Sequence, residues 1–271
     1  MSDSGSNFWS HLEVFRWVLV RCLCVVFGVA IVAFLFGDFV FDRIVLAPCR
    51  ADFITYEFFC RLAAWLSMPG ICPSIDEISI ININLTAQFL THISISFYIG
   101  LIIGFPYLMI EFWYFVLPAL YPHERKPALK GAVSFVVLFF TGVLTAYFLI
   151  FPLALNFLGT YQISESVPNQ ISLNSYISTF LTLIFLMGLV FEMPVVAYFL
   201  AKIGLLRSEF FKKYRKYSVV VILILSAFIT PSPDVFTMFM VALPLQLLFE
   251  LSRLVVKKVE SKSLLRVYNK A

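Results

Sequence analysis

Apolar residues run through this chain in blocks too long for a soluble helix or strand, separated by short polar stretches. The blocks predict helical spans at about 18–36, 87–120, 131–158, 176–203, 218–229 and 235–251. A bilayer is crossed by roughly 18–20 apolar residues in a helix, and several of these blocks reach that length. The second, Ala87–Leu120, spans roughly 50 Å at 1.5 Å per residue. Pro106 and Pro118 are expected to bend or end it. The fifth, Ser218–Ile229, reaches only about 18 Å, short of an apolar core of about 30 Å. Either Phe210–Tyr217 adds a turn or two of helix, or the bilayer thins there. Between the first two blocks, Gly37–Thr86 carries the breakers Pro48, Pro69, Gly70 and Pro73. It has room for short amphipathic helices such as Phe53–Leu66, but not for a full span.

Composition agrees with the pattern. The chain is 61% hydrophobic and 13% charged, against about 25% charged in a soluble domain. The fold class expected is therefore an all-α polytopic membrane protein, with residues 1–271 forming one membrane domain. Charge sets its orientation. Tyr121–Lys130, Lys202–Tyr217 and the segment from Arg253 onward are basic, while Gly37–Thr86 and Gly159–Ser175 are acidic or nearly uncharged. The positive-inside rule then predicts six spans with both termini cytoplasmic. The net charge of +4 is spread over these short loops and makes no nucleic-acid footprint.

Ionisable residues inside spans are costly and mark candidate functional positions. Glu111 lies near the cytoplasmic end of the second span, sharing a helical face with Tyr107, Tyr114 and Pro118. Glu192 sits at similar depth in the fourth. Each carboxyl either serves a function or hydrogen-bonds a neighbouring helix. Glu13 and Arg16 belong to an amphipathic lead-in, Phe8–Trp17, that suits the membrane interface. Cys22 and Cys24 read as small buried residues; Cys60 and Cys72 flank a Met-Pro-Gly corner on the outer side and are candidates for a disulfide, with other pairings left open. His11, His92 and His123 are scattered, with His92 read as a satisfied polar residue within a span. No zinc spacing, Walker loop or nucleotide fingerprint is present, so neither metal nor cofactor is expected. A catalytic nucleophile with its base is also missing, which argues against an enzyme. A proton-coupled transporter using Glu111 and Glu192 is the main rival, but the internal repeat usual in transporters is absent.

Phe115–Lys130 is a charged corner between two long apolar blocks. Within it, Ala119-Leu120-Tyr121-Pro122-His123-Glu124-Arg125 resembles the first cytoplasmic loop of the TatC family, the signal-peptide receptors of twin-arginine protein translocation. Similar stretches follow at Ala146-Tyr147-Phe148, Phe151-Pro152-Leu153, Phe191-Glu192-Met193-Pro194, Lys212–Tyr217, Thr230–Phe236, Ala242-Leu243-Pro244 and Phe249-Glu250. The resemblance implies a six-helix, glove-shaped receptor with short fifth and sixth spans, and no enzymatic activity. Such a receptor binds twin-arginine signal peptides on folded cargo and self-associates in a multi-subunit complex. It works with single-span TatA- and TatB-type partners, using the proton-motive force. The implied location is the bacterial inner membrane, with thylakoid and mitochondrial membranes left open. Glu124 matches the carboxylate implicated in reading the arginine pair, with Phe115, Pro106 and Leu120 around it. Tyr147, Glu192 and Asp234 match other functionally sensitive positions. The chain departs from the family at its start, where His-Leu-x-Glu-Leu-Arg becomes His11-Leu12-Glu13-Val14-Phe15-Arg16. That shift rotates Glu13 by about 100° around the helix as a second carboxylate. It departs again at Met238, where the family often has Gln.

Overall fold

The computed structural model describes residues 3–66, 80–116, 125–161, 164, 170–230 and 234–268. The chain is a series of helices with a single two-residue parallel pairing among the described residues, β1 (Ile80–Ile81) with β2 (Ile171–Ser172). The long helices are α1 (Asp3–Leu35), α4 (Ala87–Val116), α5 (Arg125–Thr145), α7 (Leu173–Val190), α9 (Ser208–Ile229) and α10 (Val235–Tyr268). Shorter ones are α2 (Gly37–Val40), α3 (Ile54–Leu66), α6 (Phe151–Thr160) and α8 (Met193–Lys202). Five helical stretches are long and apolar enough to cross a membrane: Glu13–Leu35, Ala87–Phe115, Val133–Thr160, Leu173–Lys202 and Val235–Ser261. The all-α polytopic membrane architecture follows from them.

Three details differ from the sequence pattern. Pro106 does not end α4, which continues to Val116. The expected short fifth span is the apolar half of α9, a 22-residue helix about 33 Å long. It begins ten residues earlier than the apolar block, the alternative in which Phe210–Tyr217 adds turns of helix, because Lys, Arg and Glu lower hydropathy without opposing helix. The sixth block likewise continues as helix through its basic end to Tyr268.

Two compact units make up the chain: Met1–Ile44 with Asn84–Val137, and Val45–Ile83 with Leu138–Ala271. In the first, α1 and α4 run antiparallel and pack closely because two glycines face α1. A Cβ on Gly100 would lie 2.5 Å from the Val26 carbonyl oxygen and 3.1 Å from the Ala30 Cβ. Four residues on, a Cβ on Gly104 would touch Val26 at 3.4 Å. Membrane helices approach this closely where small residues recur every fourth position. At the far end of the pair, His92 stacks on Phe34 with ring centroids 4.1 Å apart, and a Cβ on Gly37 would lie 2.3 Å from its Nε2. That nitrogen is buried without a hydrogen-bond partner among the described residues, where the sequence suggested a satisfied polar residue.

The second unit orders the segment after Val45 with tyrosine hydroxyls and main-chain acceptors. Tyr176 donates to the Val45 carbonyl at 2.6 Å, and the Tyr56 hydroxyl lies 2.9 Å from the Pro48 carbonyl and 3.2 Å from that of Pro152. Thr55 donates to the Phe148 carbonyl. The bonds to Val45 and Pro48 satisfy carbonyls of the short turns there, and those to Phe148 and Pro152 tie α3 to the chain that leads into α6. A π-helical turn, Ala146–Ile150, joins α5 to α6. Beneath it α5 and α7 cross at glycines: a Cβ on Gly142 would meet the Met187 carbonyl oxygen at 2.7 Å, and one on Gly188 would meet the Phe139 ring at 2.7 Å. Ala197, Phe211 and Val256 form the core shared by α8, α9 and α10.

Candidate functional site

The first unit gathers several of the sequence-predicted residues along one α1–α4 seam. Phe115, in the last turn of α4, lies 5.5 Å from Phe15 of α1, ring to ring. This contact sets the exposed Glu13 and Arg16 of α1 beside the end of α4 from which the charged corner departs. The Arg16 guanidinium sits 5.7 Å from the centre of the Trp17 ring, an arrangement that favours the cation. Further along the seam, the Glu111 carboxylate is buried on α4 and meets two partners. The Tyr107 hydroxyl donates to its Oε1 at 2.8 Å, and Arg21 Nη1 lies 3.5 Å from the same oxygen. Tyr107 and Glu111 sit one turn apart, with the half-buried Pro106 between the buried Phe105 and the half-buried Tyr107. Glu124 and Leu120, expected at the centre of this site, fall in 117–124, outside the described residues.

Arg21 is absent from the sequence-predicted site, although the signal is in plain view: one arginine within the first apolar block. Its guanidinium side chain is 59% exposed against 11% for Glu111, so the pair is a buried carboxylate held by a cation at the helix surface.

The second unit holds Glu192, Tyr147 and Asp234, each in a different setting. Glu192 stands where the fourth span breaks between α7 and α8. Pro194 has no N–H to give the Val190 carbonyl, and the Val195 and Val196 amides both donate to the Glu192 carbonyl at 3.0 Å. The break aims the side chain inward. Glu192 is buried, and neither carboxylate oxygen has a full hydrogen bond among the described residues; the backbone of Phe139 is the group that comes nearest to supplying one. Tyr147 occupies the π-helical turn and packs edge-on against Phe53 at 5.7 Å and Phe180 at 6.0 Å. Asp234 is the cap of α10, accepting from the Thr237 backbone N–H at 2.7 Å and from its hydroxyl. It also borders an aromatic cavity of about 570 Å³ with Phe157, Tyr161, Phe236 and Phe239.

The segment between α1 and α4 carries Cys49, Cys60 and Cys72. Cys60 is disulfide-bonded and Cys49 is free; Cys72 lies outside the described residues. Burial pushes the Cys49 thiol above its ordinary value, offset in part by a hydrogen bond with Tyr176. No group of three or more His, Cys, Asp or Glu able to hold a metal occurs among the described residues. The described residues offer charge and aromatic surface in the first unit and a buried carboxylate in the second.

Comparison with known proteins places this geometry. Residues 10–244 match the family described as "Sec-independent protein translocase protein (TatC)". A protein of that description from Blattabacterium sp. subsp. Periplaneta americana (strain BPLAN) is 36% identical over 248 residues, covering 90% of this chain and 92% of its own. Another, from Carboxydothermus hydrogenoformans, is 32% identical over 262 residues, 97% of each chain. Among solved structures, the "Crystal Structure of Twin Arginine Translocase Receptor- TatC" aligns with a TM-score of 0.69 and 31% identity, over 92% of this chain and 99% of that one.

Proposed function

We propose that this chain, which belongs to the TatC family of Sec-independent protein translocase proteins, is the subunit that receives twin-arginine signal peptides on folded cargo. It is a non-enzymatic component of that translocase and a multi-pass inner-membrane protein. In the proposed role it engages the peptide, recruits single-span TatA- and TatB-type subunits, and supports transport driven by the proton-motive force.

One observation carries the reading. The Phe15–Phe115 contact aligns the interfacial start of α1 with the end of α4, so that the corner bearing Glu124 leaves from a fixed point beside Glu13 and Arg16. A peptide with an arginine pair followed by an apolar run needs carboxylates near an apolar wall at the membrane edge. Charge-assisted bonds, preferably bidentate, are what guanidinium groups form with such carboxylates. Glu192 is read as a partner-facing group, because a buried carboxylate approached only by the Phe139 backbone among the described residues is poised to take a polar group from another helix. The test is capture of the purified, detergent-solubilised protein by a twin-arginine peptide and by its twin-lysine counterpart. Selective capture by the arginine peptide supports the receptor reading; equal capture by both, or by neither, rejects it.

A further inference from the structure

The start of α9 presents three distinct faces. At about 100° per residue, Phe211, Arg215, Ser218 and Ile222 fall on one side; Phe211, Ser218 and Ile222 are buried, and Arg215 is held by Glu250 of α10 at 2.8 Å. From the same helix, the Ser208 amide donates to Glu260 of α10 at 3.2 Å. Two carboxylates of α10 thus latch this turn of α9 in place, so its other faces are fixed in direction. On the next sector lie Lys212, Lys216 and Lys213, all exposed, with Glu209 as the one acid among them. None of the three lysines has a carboxylate within ion-pair distance among the described residues. Beyond them comes an aromatic strip. Phe210, Tyr214 and Tyr217 are 51%, 40% and 65% exposed, with neighbouring rings 4.6 and 6.2 Å apart, and Lys213 Nζ lies 5.7 Å from the Tyr214 ring.

A solvated loop has no use for three neighbouring, mutually tilted aromatic rings facing outward, and a lipid-buried helix cannot carry three exposed lysines of which, among the described residues, only Lys212 has a carboxylate, Glu260, that feels its charge. Both are suited at once by the boundary between acyl chains and headgroups, where aromatic rings and cations settle side by side. The position fits: these turns directly precede the apolar half of α9, Ser218–Ile229. We infer that the first three turns of α9 form a binding site for an anionic phospholipid headgroup of the cytoplasmic leaflet, with Lys212, Lys213 and Lys216 on the phosphate and Phe210, Tyr214 and Tyr217 along the upper acyl chain. Basic clusters just cytoplasmic of a membrane helix gain attraction from each cation near an anionic surface. The site lends an otherwise short apolar segment a fixed depth in the bilayer.

The test uses the full chain in dodecyl maltoside, titrated with dioleoylphosphatidylglycerol or dioleoylphosphatidylcholine while thermal unfolding is followed. Phosphatidylglycerol should raise the unfolding temperature and phosphatidylcholine should not. In Lys212→Gln/Lys213→Gln/Lys216→Gln the half-saturating lipid concentration should rise about tenfold, less than three independent charges would give because one headgroup is shared. Inorganic phosphate and poly-glutamate at equal charge should leave the wild type unmoved. An unchanged half-saturation in the triple variant overturns the site, as does an equal shift with phosphate or poly-glutamate. Should the triple variant fail to give a monodisperse helical protein, the wild type decides. Its lipid response should vanish between 50 mM and 500 mM salt, and persistence at high salt overturns the proposal.

Discussion

Arg21 of α1 and Glu111 of α4 lie 3.5 Å apart within the membrane-spanning part of the first unit, and Tyr107 completes the carboxylate's contacts at 2.8 Å. The pair joins the two helices just past the Phe15–Phe115 contact that borders the candidate peptide site.

Removing one partner should do more harm than removing both. Arg21→Met leaves a buried carboxylate without its counter-ion, with Tyr107 still donating to it, a loss of about 1–3 kcal/mol, whereas Arg21→Met/Glu111→Leu removes the need for a partner. Thermal unfolding in detergent should rank wild type and double variant above the single one. A single variant as stable as wild type would show that the pair holds nothing together.

Close approach at Gly100 gives a second prediction with its own control. Gly100→Ala forces a methyl group to 2.5 Å from the Val26 carbonyl oxygen, and backbone has little room to yield. The expected cost is about 1–3 kcal/mol. Gly28→Ala, on the same helix pair with nothing within 4 Å of its new Cβ, should be neutral or gain a few tenths to about 1 kcal/mol from helix propensity. Equal stability of the two variants would contradict the packing described.

These contacts show what the sequence makes legible and what it does not. Apolar blocks of about 20 residues are dictated by bilayer thickness, so the five long apolar helices and their order could be read directly. So could α3, whose pattern stands out between breakers. Arg21 is visible as one arginine within an apolar block, but nothing in the sequence says that it faces Glu111. The start of α9 is legible only as one of two alternatives, because its lysines look like loop while favouring helix. Tyr176 and Val45 are 131 residues apart, and the acceptor is a backbone carbonyl, which carries no side-chain signature. The carboxylates Glu111 and Glu192 are equally conspicuous in sequence, yet one is paired and the other is not. Only the packing of neighbouring helices distinguishes them.

Glu192 should show function and stability pulling apart. Glu192→Leu replaces a buried carboxylate that has no full hydrogen bond among the described residues with an apolar side chain. The isolated protein should unfold at an equal or higher temperature, while export of a twin-arginine reporter falls and peptide binding persists. A lower unfolding temperature, or poor accumulation in the membrane, would assign Glu192 to structure instead.

The outer cysteines should react in a defined order. Cys60 is expected to pair with Cys72, leaving Cys49 as the outer thiol open to alkylation. Because burial raises the Cys49 thiol above its ordinary value of 9.0, its thiolate fraction at pH 8 is below that of a free cysteine. Iodoacetamide labelling should therefore be slow at pH 8, with a pH midpoint above 9.0. The same shift stabilises the fold below the unfolded thiol's value and is lost as pH rises through the folded one. Labelling of Cys60 and Cys72 in intact membranes without reductant would exclude their pairing, and a midpoint below 9.0 would contradict the burial of Cys49.

The receptor reading itself is tested most directly by the affinity of a twin-arginine signal peptide for wild type and Glu124→Gln, measured in detergent at low salt. Glutamine keeps the shape and removes the charge. A charge-assisted arginine–carboxylate bond at a partly buried edge is worth roughly 1.5–3 kcal/mol, about ten- to a hundredfold in affinity. The variant should bind more weakly by that factor and with less sensitivity to salt, while Glu13→Gln should lose less because its register is rotated. Equal affinity of wild type and Glu124→Gln would contradict the account.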